Sequence, residues 1–342
     1  MRYQGPAPQS DKPECTGVLL TNLGTPDSPA TGDVRRYLKE FLGDPRVVEI
    51  PRLLWWLILN GVILNTRPKR SAKAYQQVWT DEGSPLLAIS KKQAAALQSR
   101  LDEQSDTPVK VVLAMRYGNP SIEQGLETLR EANAQRIIVL PLYPQYSATT
   151  TASTFDAIAA VFNRWRWLPE LNFITHYHDH PKYIAALKNS VERFWQSQPK
   201  PEKLLLSFHG IPKDYIDAGD PYYQQCLETA QQLAQQLGLA DSEWFCSFQS
   251  RVGTKEWIKP YTDSTLKQWG AEGVAGVHVI CPGFSADCLE TIEEIDEENR
   301  DYFLGAGGKT YHYIPALNDE EEHIDLMAEL IRARITNNNP SG

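Results

Sequence analysis

The chain has 342 residues and a hydrophobic fraction of 42%, enough to bury the cores of two ordinary domains or of one large one. A formal net charge of −9 argues against nucleic acid as the main partner, but not against a cationic ligand. The five scattered cysteines (Cys15, Cys226, Cys246, Cys281 and Cys288) include no CxxC pair; they suit a reducing cytoplasm and provide neither a disulfide framework nor a structural zinc site.

Residues 1–16, with Pro6, Pro8 and Pro13 among polar neighbours, read as a loose arm without the apolar core of a signal peptide. The segment 51–65, PRLLWWLILNGVILN, is interrupted by Arg52, Asn60 and Gly61 and falls short of the ~20 apolar residues that a membrane span needs. It reads either as a buried amphipathic helix or as an apolar lip on a ligand cleft, making peripheral membrane contact through Trp55 and Trp56.

Short apolar runs occur at 18–22, 109–115, 136–140 and 171–175, and again at 203–208, 244–248, 274–280 and 309–314. Amphipathic stretches at 121–132 (with Ser121 as N-cap), 181–196 and 221–237 lie between them. Strands alternating with helices build βαβ units, so the predicted fold is α/β: two similar doubly wound lobes, each with a parallel four-stranded sheet flanked by helices. The lobes are placed at 17–178 and 179–315. A C-terminal helix at 316–335 is expected to pack back on the N-terminal lobe, ahead of a loose tail at 336–342.

The halves resemble one another in sequence. LLTNLGTP at 19–26 matches LLSFHGIP at 205–212, and VLPLYPQYSA at 139–148 matches HVICPGFSA at 278–286 with Pro144 set on Pro282. Met115-Arg116 and Ser250-Arg251 each set an arginine after a strand. Three such matches in one order indicate a duplicated lobe. The lobes differ in their polar residues. His209 stands where the first lobe has Leu23, and the second lobe follows its third strand with Asp287, Glu290, Glu293, Glu294, Asp296, Glu297 and Glu298.

His209 ends an apolar strand, the place where ligands collect in parallel α/β sheets. On a helix, Asp287, Glu290 and Glu294 share a face, where like charges cost a few tenths of a kcal/mol per pair. That face is either solvated or built to handle a cation and protons. One imidazole with one carboxylate makes a loose site suited to a metal that is handed on, and both groups accept protons near neutral pH. His176, His178 and His180 read as loop and cap residues, and His278 as a core histidine. In the first lobe Arg116, Tyr117, Tyr146 and Ser147 read either as strand-end packing or as a wall for a flat aromatic ligand bearing carboxylates. No GxGxxG or GxxxxGK[ST] opens a helix, so nothing supports a nucleotide site.

At these residues the chain resembles the ferrochelatase family. The resemblance rests on LLTNLGTPDSP (19–29), MRYGNP (115–120), LYPQYSATTT (142–151), SFHGIPKDYIDAGDPYYQQC (207–226), FQSRVG (248–253) and PGFSADCLETIEEI (282–295), and covers about residues 18–315. It implies a class II chelatase-like fold and the insertion of Fe2+ into a porphyrin, with Fe2+ as substrate and no required cofactor. His209 and Glu290 match the family's metal site, and Glu294 matches the next acid of an inner acidic path that also includes Asp287. Leu23 matches a porphyrin-contacting position, where an apolar residue and the lip favour protoporphyrin IX over coproporphyrin. Eukaryotic members have a histidine where this chain has Cys288. No cysteine follows Cys288, so no iron–sulfur cluster is expected; nor is the dimerisation extension of some members, which leaves room for a monomer. Two rivals are a chelatase for a precorrin-type ring and a porphyrin- or metal-binding protein without turnover.

Overall fold

The computed structural model describes residues 3, 5, 11–104, 108–253 and 255–336. Half of the arm expected at 1–16 and all but the first residue of the tail expected at 336–342 lie outside them. The chain divides into two units. The first is drawn from residues up to Leu142, from Ala148–Thr175 and from Asp319 onward; the second is drawn from Tyr143–Ser147 and His176–Asn318.

In the first unit β1 (Cys15–Thr25), β2 (Val109–Gly118), β3 (Ala134–Pro141) and β4 (Glu170–Phe173) form a parallel sheet in the order β2-β1-β3-β4. In the second unit β5 (Lys203–His209), β6 (Trp244–Gln249), β7 (Gly276–Ile280) and β8 (Thr310–Ile314) repeat it as β6-β5-β7-β8. Parallel sheets carry helices on both faces, so their central strands read as continuous apolar runs rather than as alternation. Leu19 and Leu20 in β1 and Leu205 and Leu206 in β5 are accordingly fully buried. Leu19, Leu126, Val139 and Ile158 form one core, and Leu205, Leu266, Val279 and Phe303 another. Each such side chain contributes roughly 1.5–3 kcal/mol by leaving water.

Helices begin where local chemistry satisfies their free N–H groups. Ser121 caps the helix Ile122–Glu131, accepting from the Gln124 N–H, while the Gln124 side chain accepts from the Ser121 N–H, a capping box. His180 caps the helix Pro181–Ser197, whose first position is a proline. The last helix, Glu321–Thr336, packs on the helix Pro85–Gln104, where Arg100 pairs with Asp325 and with Glu321.

Strand register refines the repeat. Leu19 lies opposite Val112 and Val139, as Leu205 lies opposite Phe245 and Val279, so Leu23 and His209 hold equivalent slots. By the same register Arg116 falls on Gln249, not on Arg251 as the motif match suggests, because β2 continues to Gly118. Likewise Leu142, not Pro144, falls on Pro282, and the first half carries two extra residues before its Ser-Ala pair (Val139 to Ser147 against Val279 to Ser285). The loop Tyr143–Ser147 groups with the second unit rather than the first: the Gln145 amide donates to Thr229, the Tyr146 N–H to Gln225 and the Ser147 hydroxyl to Asp220.

Candidate active site

β5 delivers His209 to the end of the second sheet, opposite Gln249. The chain then turns at Gly210, whose N–H donates to the Gln249 carbonyl at 2.8 Å. A Cβ at Gly210 would lie 2.8 Å from that carbonyl oxygen and 3.2 Å from the Trp257 ring, so only glycine admits the close approach. The Nδ1 of His209 lies 2.6 Å from the Gly210 carbonyl oxygen. A carbonyl only accepts, so Nδ1 carries the proton and the Nε2 lone pair is left for a metal or an incoming proton. Burial lowers the His209 pKa below its ordinary value, against the opposing pull of the Glu290 carboxylate and the Gly210 carbonyl. The imidazole is therefore neutral at pH 7.

After β7 the chain enters a ten-residue π-helix, Glu290–Asn299. Such wide turns are rare and collect at functional sites. Glu290, Glu294 and Glu298 follow one another in steps of four. Burial raises the Glu294 carboxyl to about 7, and the charges of Glu290 and Glu298 push the same way against hydrogen bonds from Ser250. Glu294, Glu298, Asn299, Ser250, Asp263 and Tyr302 line a pocket of about 170 Å³. An acid that titrates near neutrality in a pocket is a functional candidate with a physical cause. Among the described residues no three His, Cys, Asp or Glu side chains converge as a metal cage. His209 and Glu290 are two donors, fewer than the four of a closed structural site.

Asp287 stands apart from this stripe. Its carboxylate accepts from Thr291 and Tyr313, from the Ala316 N–H and from the Asn318 amide, and its own N–H donates to Asn318. It ties the start of the π-helix to the segment after β8. Cys288 is buried, and its thiol is held protonated by burial and by the Glu290 carboxylate to which it bonds.

The candidates in the first half divide. Leu23 is half-buried in β1. Tyr117 is completely buried, with its hydroxyl on Asp44 at 2.9 Å, so it packs the interior of its unit and cannot be the ligand wall that its motif suggests. Arg116 is spent on Asp44 and on Ser153, with Nε 2.7 Å from the Ser153 hydroxyl, and is therefore a packing residue as well. Tyr146 is half-buried, while the Ser147 side chain is buried on Asp220 at 2.9 Å. The His278 ring accepts from the Trp195 indole, as a core histidine would.

Four residues were not legible as site members. Gln249 is buried and joins the β5 hydroxyl of Ser207 to the Glu290 carbonyl. Ser250 bonds Glu294. The Trp257 ring centroid lies 6.5 Å from that of His209. Arg67, on the helix Leu64–Val78, is half-buried and has no acidic partner among the described residues; burial, then the like charge of Arg70, lowers its pKa. The signal for Arg67 was present as a basic TRPKR stretch beside the apolar segment.

Paired four-stranded parallel sheets with an imidazole and a carboxylate at the end of the second define a chelatase of the class II fold. The solved structure "SirB from Bacillus subtilis with Fe3+" has this fold, with a TM-score of 0.56 at 12% identity over 94% of this chain and 96% of that one. The ferrochelatase family profile matches residues 15–335. Ferrochelatase of Thioalkalivibrio sulfidiphilus is 59% identical over 332 residues, covering 97% of this chain and 90% of that protein. Ferrochelatase of Teredinibacter turnerae is 57% identical over 316 residues, covering 92% and 86%. The chain belongs to the ferrochelatase family and is an enzyme, a metal chelatase of the lyase class whose metal substrate is Fe2+.

Proposed function

We propose that this enzyme inserts Fe2+ into protoporphyrin IX to give protohaem, with His209 as proton acceptor and Glu290 as the last carrier of the metal. The observation that carries this reading is the free Nε2 of a neutral, half-buried imidazole set against a carboxylate. Insertion breaks two pyrrole N–H bonds and forms four Fe–N contacts, releasing two protons. Nε2 has a single lone pair and cannot hold a proton and the metal together, so the roles divide. The oxygen donors Glu290 and Glu294 suit the incoming cation, and the imidazole takes the pyrrole protons in turn. Glu294, titrating near pH 7, exchanges a proton as positive charge passes it. Trp257, whose ring lies near that of His209, supplies apolar contact to the macrocycle, and contacts remote from the nitrogens bend the ring toward its metallated shape.

Two observations favour protoporphyrin. Leu23 offers no polar group to extra carboxylates, and Leu53, Leu54, Trp56, Leu57 and Val62 form an exposed apolar lip, Leu53 being 77% exposed. Arg67, partly desolvated and without an acidic partner among the described residues, suits a porphyrin carboxylate. The lip also suits peripheral contact with a membrane from the cytoplasm; no helix among the described residues is long and apolar enough to cross one. The reading requires no resident cofactor or cluster, no nucleic acid and no second copy of the chain.

Anaerobic incubation with Fe2+ and either protoporphyrin IX or coproporphyrin III, followed by absorbance, tests it. Metallation of protoporphyrin at the higher kcat/KM is expected. Preference for coproporphyrin overturns the substrate assignment, and binding of both without turnover overturns the catalytic one.

A further inference from the structure

Ser250 follows β6 with φ = +67°. A serine held in this left-handed region costs on the order of 1 kcal/mol that a glycine would not, so its retention calls for a local reason. The reason is visible in its contacts. The Ser250 hydroxyl donates to Oε2 of Glu294, and its backbone N–H donates to the same carboxyl group. The preceding residue grips the same helix one step earlier, where Gln249 Nε2 donates to the Glu290 carbonyl at 3.2 Å. Asn299, 2% exposed, closes the arrangement from below, with Nδ2 donating to the Glu294 carbonyl at 2.7 Å. Two consecutive residues at the end of β6 thus hold two acids four positions apart on the π-helix, and Asn299 holds the second acid's own peptide.

We propose that Ser250 is a positioning residue for metal delivery: its hydroxyl fixes the Glu294 carboxyl in the orientation that receives Fe2+ from the acidic pocket and passes it toward Glu290. This rests on the reading that the π-helix acids carry the metal. The left-handed backbone is what allows both donors of one residue to reach one carboxyl group. Gln249 sets the height of Glu290 and Ser250 the rotation of Glu294, so the end of β6 acts as a template for the acid stripe.

The backbone conformation supplies a clean test. Ser250→Gly removes the hydroxyl but prefers the same φ, so the variant should melt no lower than the parent. A hydrogen bond to a carboxylate is worth about tenfold or more, and KM for Fe2+ is expected to rise about tenfold while KM for the porphyrin stays within twofold. Ser250→Asn, which tolerates the left-handed region and restores a donor, should recover most of the loss. Ser250→Ala gives the same readout should the glycine variant not fold. An unchanged KM for Fe2+ in S250G, or a joint rise in both KM values, overturns the proposal. Glu294→Gln separates the two levels. If E294Q raises KM for Fe2+ and S250G does not, the metal path stands and the positioning role falls. If neither variant moves it, the path itself is wrong.

Discussion

The two sheets end in polar clusters of opposite character. At the end of the first, Asp44 accepts from Ser153 at 2.6 Å and from Tyr117 at 2.9 Å, all three buried, and is paired with the half-buried Arg116. Burial alone would raise the Asp44 pKa, yet hydrogen bonds from Ser153 and the Arg46 N–H, together with the charge of Arg116, bring it below the ordinary value. At the end of the second, His209 is pushed toward neutrality and Glu294 is kept protonated up to about pH 7. One cluster has every charge matched and the other leaves its groups partly unmatched on a similar scaffold. Matched buried groups hold a fold together; unmatched ones are costly and mark chemistry.

Breaking the matched cluster should cost stability and little chemistry. Asp44→Ala leaves the Arg116 charge buried without its partner and is expected to lower unfolding stability by about 3–5 kcal/mol in urea. Metallation per folded molecule should stay within a few-fold of the parent. A variant as stable as the parent would show that the first cluster is not structural.

Neutralising the unmatched cluster should do the reverse. The folded Glu294 carboxyl titrates at about 7 against 4.5 when unfolded, so the folded state holds a proton that the unfolded chain releases. Stability from this group is complete below about pH 4.5 and is lost as pH rises through 7. Glu294→Gln should therefore gain on the parent as pH rises from 4.5 to 8, by about 2 kcal/mol, because the site keeps some solvent access. A difference independent of pH would mean that the carboxyl titrates normally.

The architecture was open to reading because parallel strands buried on both faces make unbroken apolar runs, and all eight runs match strands. His209 and Glu290 were visible because the repeat exposes a histidine where its counterpart is Leu23, and because acids crowd one stretch. The rest of the site depends on backbone conformation. A π-helix has no compositional mark distinguishing it from an acidic α-helix, so Asp287 was grouped with Glu290 although it ties down the segment after β8. The left-handed Ser250 is equally silent in sequence. Arg116 and Tyr117 misled because a motif shows residue types but not which side of β2 they face; their partner Asp44 lies 72 and 73 positions away.

The central claim is that His209 and Glu290 perform the insertion as a pair. The most direct measurement is anaerobic Fe2+ insertion by His209→Ala, with its melting temperature and porphyrin affinity checked against the parent. Losing a positioned proton acceptor predicts a fall in kcat of about 100-fold or more in a protein that still folds and binds porphyrin. Metallation at the parental rate by that folded variant would contradict it.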